Sequence, residues 1–367
     1  MQALPIYLDY AATTPVDPRV LEAMLPYFTE HFGNAASTTH IHGEIAKKAV
    51  DIGRKQVADL INSNPEEIIF TSGSTESINM ALKGLFWSNA GKKRHIITVK
   101  TEHKAVLDTC EWLEEIGVEV TYLGVDEEGI INWPEYKQAL LEKPLLVCVM
   151  YANNETGVIQ EIAKIAEMAH QHGALFFTDA TQAFGKIPID VEQEAIDLLC
   201  FSAHKIYGPK GIGGLYVKKG IKLVPLIHGG GHQGGLRSGT LNVPGIVGLG
   251  KAAEIAKKEM LSNEHKVRSI RDKVEEVLLL QQKIKINGKR DQRIPYISNI
   301  QLINEDAENF LIKNKREIAL STGPACNSEV ISISHVLNTM GLMKHNSIRL
   351  SFNSFVINAD DIIKKIA

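Results

Sequence analysis

IDLLCFSAHKIYGPKGIGGLYV, residues 196–217, reads as two apolar strands separated by a Gly/Pro-rich turn. The run Ile196 to Phe201 has the length and bounds of a buried strand. It carries Ser202, His204 and Lys205 to that turn, ahead of a second run, Leu215 to Val217. A lysine held at the mouth of a sheet can be partly desolvated and its pKa lowered, which frees the amine to form a Schiff base with an aldehyde. The same letters also describe a surface lysine in a basic loop beside Lys210, so the neighbouring stretches have to choose.

Working back, Ala174 to Phe177 is a strand that ends in Thr178-Asp179-Ala-Thr-Gln182. A carboxylate there is costly to bury unless it meets a cation or a strong donor. Leu145 to Met150 is a further strand, emptying into Tyr151-Ala-Asn153-Asn154-Glu155-Thr-Gly157 before a helix at Ile162 to His172. His95 to Val99 leads to Thr101-Glu102-His103-Lys104 and a helix to about Ile116. Four strands thus deliver His103, Asn154, Asp179 and Lys205 to their C-terminal ends, where sites collect in open α/β sheets. His103 alone is more often a cap or a surface residue. The alternation predicts an α/β fold with one mostly parallel, helix-covered sheet over about 65–218.

Ahead of these, Glu67 to Phe70, then Thr71-Ser-Gly-Ser74-Thr75-Glu76, then a helical stretch Ser77 to Trp87 give strand, small-residue turn and helix. That order makes an anion cradle at a helix N-terminus, or a plain N-cap. It lacks the lysine of a P-loop and the glycine pattern of a dinucleotide fold, so a small phosphate monoester suits it better than a nucleotide. Near the N-terminus, Tyr10-Ala-Ala-Thr-Thr lets backbone approach a neighbour closely, Val20 to Phe28 is helical, Asn34 turns or caps, and Gly43 to Ile61 is a second helix.

Downstream, His228 to Thr240 is glycine-rich. His228 and His232 have no third metal partner, while Arg237 and Thr240 suit a phosphate or a subunit contact. Val243 to about Gln282 is helical, and short strands and helices from Lys283 onward form a small α/β domain. Within it Ser321-Thr-Gly323-Pro324-Ala-Cys326-Asn-Ser328 carries one cysteine, read either as a buried small hydrophobe or as a reactive thiol on exposed backbone. The expected division is a large domain at 15–258 and a small one made of 1–14 and 259–367.

Composition narrows the class. The 367 residues are 44% hydrophobic and 23% charged with a formal net charge of −3, an ordinary globular balance with no electrostatic footprint for nucleic acid. No basic-then-apolar leader and no apolar run of about 18 residues is present, so a cytoplasmic protein without membrane contact is expected. Cys110, Cys148, Cys200 and Cys326 are scattered, and neither a disulfide framework nor a metal site is expected. Cys110 and Cys148 read as core filler.

Jointly, Ser202-Ala-His204-Lys205, the turn at 72–76, Glu102-His103-Lys104, Asn153-Asn154-Glu155, Asp179-Ala-Thr-Gln182 and Arg237-Ser-Gly-Thr240 resemble the class V aminotransferase family. Within it they are similar to the cysteine desulfurases of the NifS/IscS group, from Leu8 to about Phe352. The resemblance implies fold-type I architecture and pyridoxal 5′-phosphate at a homodimer interface. Lys205 is similar to the Schiff-base lysine, Asp179 to the partner of the pyridine nitrogen, His103 to the residue stacked on the ring, and Gln182 to the donor to its phenolic oxygen. Ser74, Thr75, Ser202 and His204 resemble the phosphate cup, with Thr240 reaching in from the other subunit. Asn34, Asn154 and Arg349 resemble substrate-binding residues, and Asn154 also belongs with the cofactor set.

Cys326 matches the catalytic cysteine. The implied reaction converts L-cysteine to L-alanine and leaves a persulfide on Cys326 for a sulfur-acceptor protein in iron–sulfur cluster assembly, DNA phosphorothioation or tRNA thiolation. The sequence departs from the group's pattern around Cys326, after Arg349, and at Ala35 in place of a proline. A short C-terminus resembles the branch that feeds sulfur to DNA phosphorothioation. The rival readings are a selenocysteine lyase or another class V enzyme, and a non-catalytic scaffold that keeps the fold. A nicotinamide dehydrogenase lacks its glycine fingerprint here.

Overall fold

The computed structural model describes residues 4–89, 94–322, 334–342, 346–354 and 358–366. Its strands are β1 (Ile6–Tyr7), β2 (Ile68–Thr71), β3 (His95–Val99), β4 (Glu119–Leu123), β5 (Leu146–Cys148), β6 (Leu175–Asp179), β7 (Leu198–Ser202), β8 (Gly213–Val217), β9 (Ile284–Asn287), β10 (Ile297–Leu302), β11 (Ile318–Ala319) and β12 (Ser347–Ser351). Its helices are α1 (Pro18–Met24), α2 (Pro26–Thr29), α3 (Ile41–Leu60), α4 (Ser74–Ser88), α5 (Lys104–Glu115), α6 (Trp133–Leu140), α7 (Ile162–Gln171), α8 (Val243–Leu280), α9 (Ala307–Asn314), α10 (His335–Thr339) and α11 (Ala359–Ile366).

Strands β2 to β8 make one sheet in the order β2-β8-β7-β6-β5-β3-β4. Only β8 opposes its neighbours; the other pairings are parallel. This is the sheet expected over 65–218. Its strands bury both faces, because side chains alternate across a sheet. Leu198 and Cys200 pack with Ile78 and Leu82 of α4 and Val106 and Leu113 of α5. Leu199 and Phe201 pack into the opposite layer with Ile165 of α7 and Val57 of α3.

Several elements depart from the sequence reading. The helix expected over 20–28 is split into α1 and α2 at Pro26, which supplies no backbone N–H to continue the first. Strand β4, buried only at Leu123, and helices α6 and α11, whose apolar letters are interrupted by charges, escape the periodicity reading. Helix α8 is continuous for 38 residues, about 57 Å at 1.5 Å per residue. It meets α3 at Gly250, where an added Cβ would lie 2.5 Å from Gly53 Cα.

A second sheet runs β12-β10-β9, antiparallel throughout. Strand β1 pairs in parallel with β11, and Asp9 bridges to Ser351, so the N-terminus is stitched to the C-terminal third. Among the described residues no helix is long and apolar enough to cross a membrane.

Candidate active site

The C-terminal ends of β3, β5, β6 and β7 open on a cavity of about 790 Å³. His103, Asn154, Asp179, Gln182, Ser202, His204 and Lys205 line it, joined by Ser74 and Thr75 at the start of α4 and by Arg349 from the middle of β12. Of the residues singled out from sequence, the fold therefore brings ten to one place.

Lys205 ends the short 3-10 turn that follows β7. Its Nζ donates to the carbonyls of Ala11 (2.6 Å) and Ala12 (2.7 Å), which is the close approach that the small-residue run after β1 permits. Two residues on, Tyr207 adopts φ 64°, a left-handed conformation that a bulky side chain rarely takes. Its N–H is held by Thr14 Oγ1 at 2.9 Å, so the turn carrying Lys205 is fastened to the N-terminal segment.

Asp179 is buried at the end of β6, and the donors that its burial requires are present. Its Oδ1 accepts from Thr181 N (2.9 Å), Thr181 Oγ1 (2.5 Å) and Cys200 Sγ (3.4 Å). Ser74 Oγ in turn contacts Thr181 Oγ1 at 2.6 Å, tying α4 to β6. With these donors on one oxygen, the carboxylate is fixed while it lines the cavity.

His103 caps α5: its Nδ1 accepts from Ala105 N at 3.1 Å, so the proton of the neutral ring sits on Nε2. Burial, together with Lys205, Lys210 and Lys186, lowers the His204 pKa to about 4, which leaves this imidazole neutral near pH 7. Gln182 donates from Nε2 to Ala11 O (3.0 Å) and accepts at Oε1 from Lys186 Nζ (3.0 Å). Arg349 is buried and donates to Asn154 O (2.9 Å) and Asp9 Oδ1 (2.6 Å).

The donor set suits a ligand with an anion at one end and a protonated ring nitrogen at the other. The turn at 72–74 leads into α4, whose N-terminus favours negative charge, and neutral His204 and Ser202 stand beside it. Gly213 on β8 lets that turn sit so close: a Cβ there would fall 2.7 Å from Gly73 Cα and 2.5 Å from Phe201 O. Asp179 offers a buried carboxylate and Lys205 an amine to the same cavity. Pyridoxal 5′-phosphate has those features, and the residues present fit it.

Other expected residues fall elsewhere. Asn34 is exposed outside this lining, its Oδ1 accepting from Ala36 N at 2.9 Å, which is the turn role. Thr240 is also exposed outside it. Arg237, read as a phosphate or subunit contact, pairs with Glu76 at 2.8 Å in the first turn of α4. Cys326 lies outside the described residues. The flanks of its segment do reach the cavity: Ser321 bridges to Arg349, and Ser334 Oγ donates to Glu155 Oε2 at 2.5 Å.

Sequence reasoning quoted Glu102 and Thr181 only inside motifs, without a role of their own, and gave Lys186 and Cys200 no place in the site. Glu102 is fully buried with Oε1 accepting from Met150 N at 2.5 Å; burial, then the charge of Asp179, pushes its pKa well above the usual carboxylate range. Cys200 becomes visible only with the register Asp179↔Cys200 between β6 and β7. Lys186 follows Gln182 in an irregular turn with Gly185 at φ 70°, so no periodicity in the sequence places its amine beside the Gln182 amide.

The family profile described as "Aminotransferase class-V" matches residues 6–362. The chain is 48% identical over 361 residues to the cysteine desulfurase IscS of Cronobacter sakazakii, covering 96% of this chain and 89% of that protein. A solved structure of a NifS-like protein superposes with a TM-score of 0.92 at 36% identity, covering 99% of this chain and 98% of the other. A structure described as SspA in complex with cysteine gives a TM-score of 0.84 at 38% identity, covering 96% and 100%.

Proposed function

We propose, for a chain that belongs to the class V aminotransferase family, that the cavity takes pyridoxal 5′-phosphate and L-cysteine and that the protein is a cysteine desulfurase. The observation that carries the reading is the convergence of Lys205, Asp179 and Arg349, from three separate parts of the chain, on one cavity. Ser74, Thr75, Ser202 and His204 would hold the phosphate, Asp179 the ring nitrogen, His103 the ring face and Gln182 the phenolic oxygen. When bound, the cofactor supplies an electron sink for charge developing at the substrate's α-carbon.

Arg349 binds the substrate carboxylate through its guanidinium, a charge-assisted contact that now falls to Asp9 and Asn154 O. Lys205 Nζ moves the α-proton, aimed by the carbonyls of Ala11 and Ala12. The thiolate of Cys326 attacks the substrate sulfur; the C–S bond breaks and an S–S bond forms. One substrate thiol and one protein thiol become a C–H bond of L-alanine and a persulfide on Cys326, with no outside oxidant or reductant.

The domain division at 15–258, with 1–14 and 259–367 forming the smaller unit, is supported by the separate sheets and the β1–β11 pairing. A homodimer is supported by the exposed apolar side chains Leu21, Leu25, Phe28, Phe32 and Ile41 around α1 to α3, and by the outward placement of Thr240. The persulfide's destination is a sulfur-acceptor protein, and the setting is the cytoplasm.

The test is to supply L-cysteine to the cofactor-loaded protein and measure alanine, released sulfide and the mass of the peptide containing Cys326. Alanine formation with one added sulfur on Cys326, abolished in Cys326→Ala, is expected. Undiminished sulfur release by Cys326→Ala contradicts the proposal and favours a lyase of the selenocysteine type.

A further inference from the structure

We propose that Lys186 is a positioning residue: its Nζ hydrogen bond to Gln182 Oε1 fixes the Gln182 amide with its NH₂ end presented to the ligand cavity. This deepens the functional reading above and rests on it.

A glutamine amide has a donor end and an acceptor end, and left alone it can present either. An ammonium can only donate, and the carbonyl of Ala11 on the other side can only accept, so the amide atom 3.0 Å from Nζ is the oxygen and the nitrogen is turned to Ala11. There Nε2 donates to Ala11 O at 3.0 Å, the same carbonyl that accepts from Lys205 Nζ at 2.6 Å. Gln182 lines the large cavity, whereas Lys186 lies behind it, against a separate small cavity of about 40 Å³ that also touches Lys205. An anionic oxygen on the bound cofactor would find a donor at Gln182 only while the amide keeps this orientation.

A structural role accounts poorly for a lysine here. Lys186 is buried, and among the described residues no carboxylate bonds to it. Its aromatic neighbour is Tyr296, with Nζ 5.8 Å from the ring centroid, and the charged groups acting on it are Lys205 and Arg349, both cations. Burial and those cations lower its pKa to about 7. The amine therefore costs stability where methionine, of similar length, would not. Groups that cost stability and are fastened to a ligand-facing side chain mark function.

The test uses Lys186→Met, Lys186→Arg, Gln182→Ala and the Lys186→Met/Gln182→Ala double variant. Three quantities are read for each: the melting temperature of the cofactor-free protein, the pyridoxal 5′-phosphate affinity by equilibrium dialysis, and the visible band of the bound cofactor. For Lys186→Met we expect an unchanged or raised melting temperature, roughly tenfold weaker cofactor binding and a band displaced as in Gln182→Ala. Adding Lys186→Met to Gln182→Ala should change nothing further. Lys186→Arg keeps a donor, and the adjacent cavity gives it room, so it should keep the wild-type band. Lys186→Met with wild-type affinity and band, additive losses in the double variant, or an Arg variant as displaced as Met each overturn the inference alone. Failure of the wild-type protein to take up the cofactor overturns the functional reading and this inference with it.

Discussion

Buried Asp179 concentrates three donors on Oδ1, and this separates what an amide can replace from what it cannot. Asp179→Asn can still accept from Thr181 through its amide oxygen, so the fold should persist. The carboxylate that would face the ring nitrogen of the proposed cofactor is lost, and alanine formation should fall roughly 100-fold or more at saturating cofactor; a variant within about threefold of wild type contradicts the proposed role. Lys186 gives a pH test. Its folded pKa, about 7, lies below the ordinary 10.5, so between these values the unfolded chain binds more protons and stability drops as pH falls toward 7. The melting-temperature gap between cofactor-free Lys186→Met and wild type should widen from pH 9 to pH 7; a constant gap contradicts it. Much of this scale was legible because Asp179 at a strand end demands donors. Which donors it finds was not, since Cys200 is adjacent only through the β6–β7 register.

At the scale of elements, strands that carry polar residues just past their C-terminal ends announced the parallel sheet and hence the place of the site. What stayed hidden was contact across the sheet edge. Gln233, in the glycine-rich loop, accepts from Phe70 N (2.7 Å) and donates to Phe70 O (2.8 Å), closing the outer edge of β2 with a side chain. Gln233→Ala should cost about 1–3 kcal/mol in denaturant unfolding, because the backbone groups of a partly buried edge lose both partners. A loss below about 0.3 kcal/mol would show that water replaces the amide freely. Gly213 tests the cradle: Gly213→Ala drives a Cβ into backbone at Phe201 and Gly73, and should weaken cofactor binding even where the protein still folds.

Across the whole molecule, the site exists because both ends of the chain meet it. The N-terminal segment offers Ala11 and Ala12 to Lys205, and β12 brings Arg349 from the C-terminal third. The buried pair of Arg293 and Glu275, at 2.7 and 2.5 Å with Ser298 Oγ at 2.6 Å, holds α8 to the second sheet. Glu275→Ala strands a buried guanidinium and should cost about 3–5 kcal/mol in unfolding free energy. The most direct test of the central claim is to load the protein with pyridoxal 5′-phosphate, reduce it with borohydride and locate the pyridoxyl adduct by peptide mass spectrometry. The adduct should fall on Lys205 and disappear in Lys205→Ala; an adduct on Lys186 or another lysine, or none at all, would contradict the account.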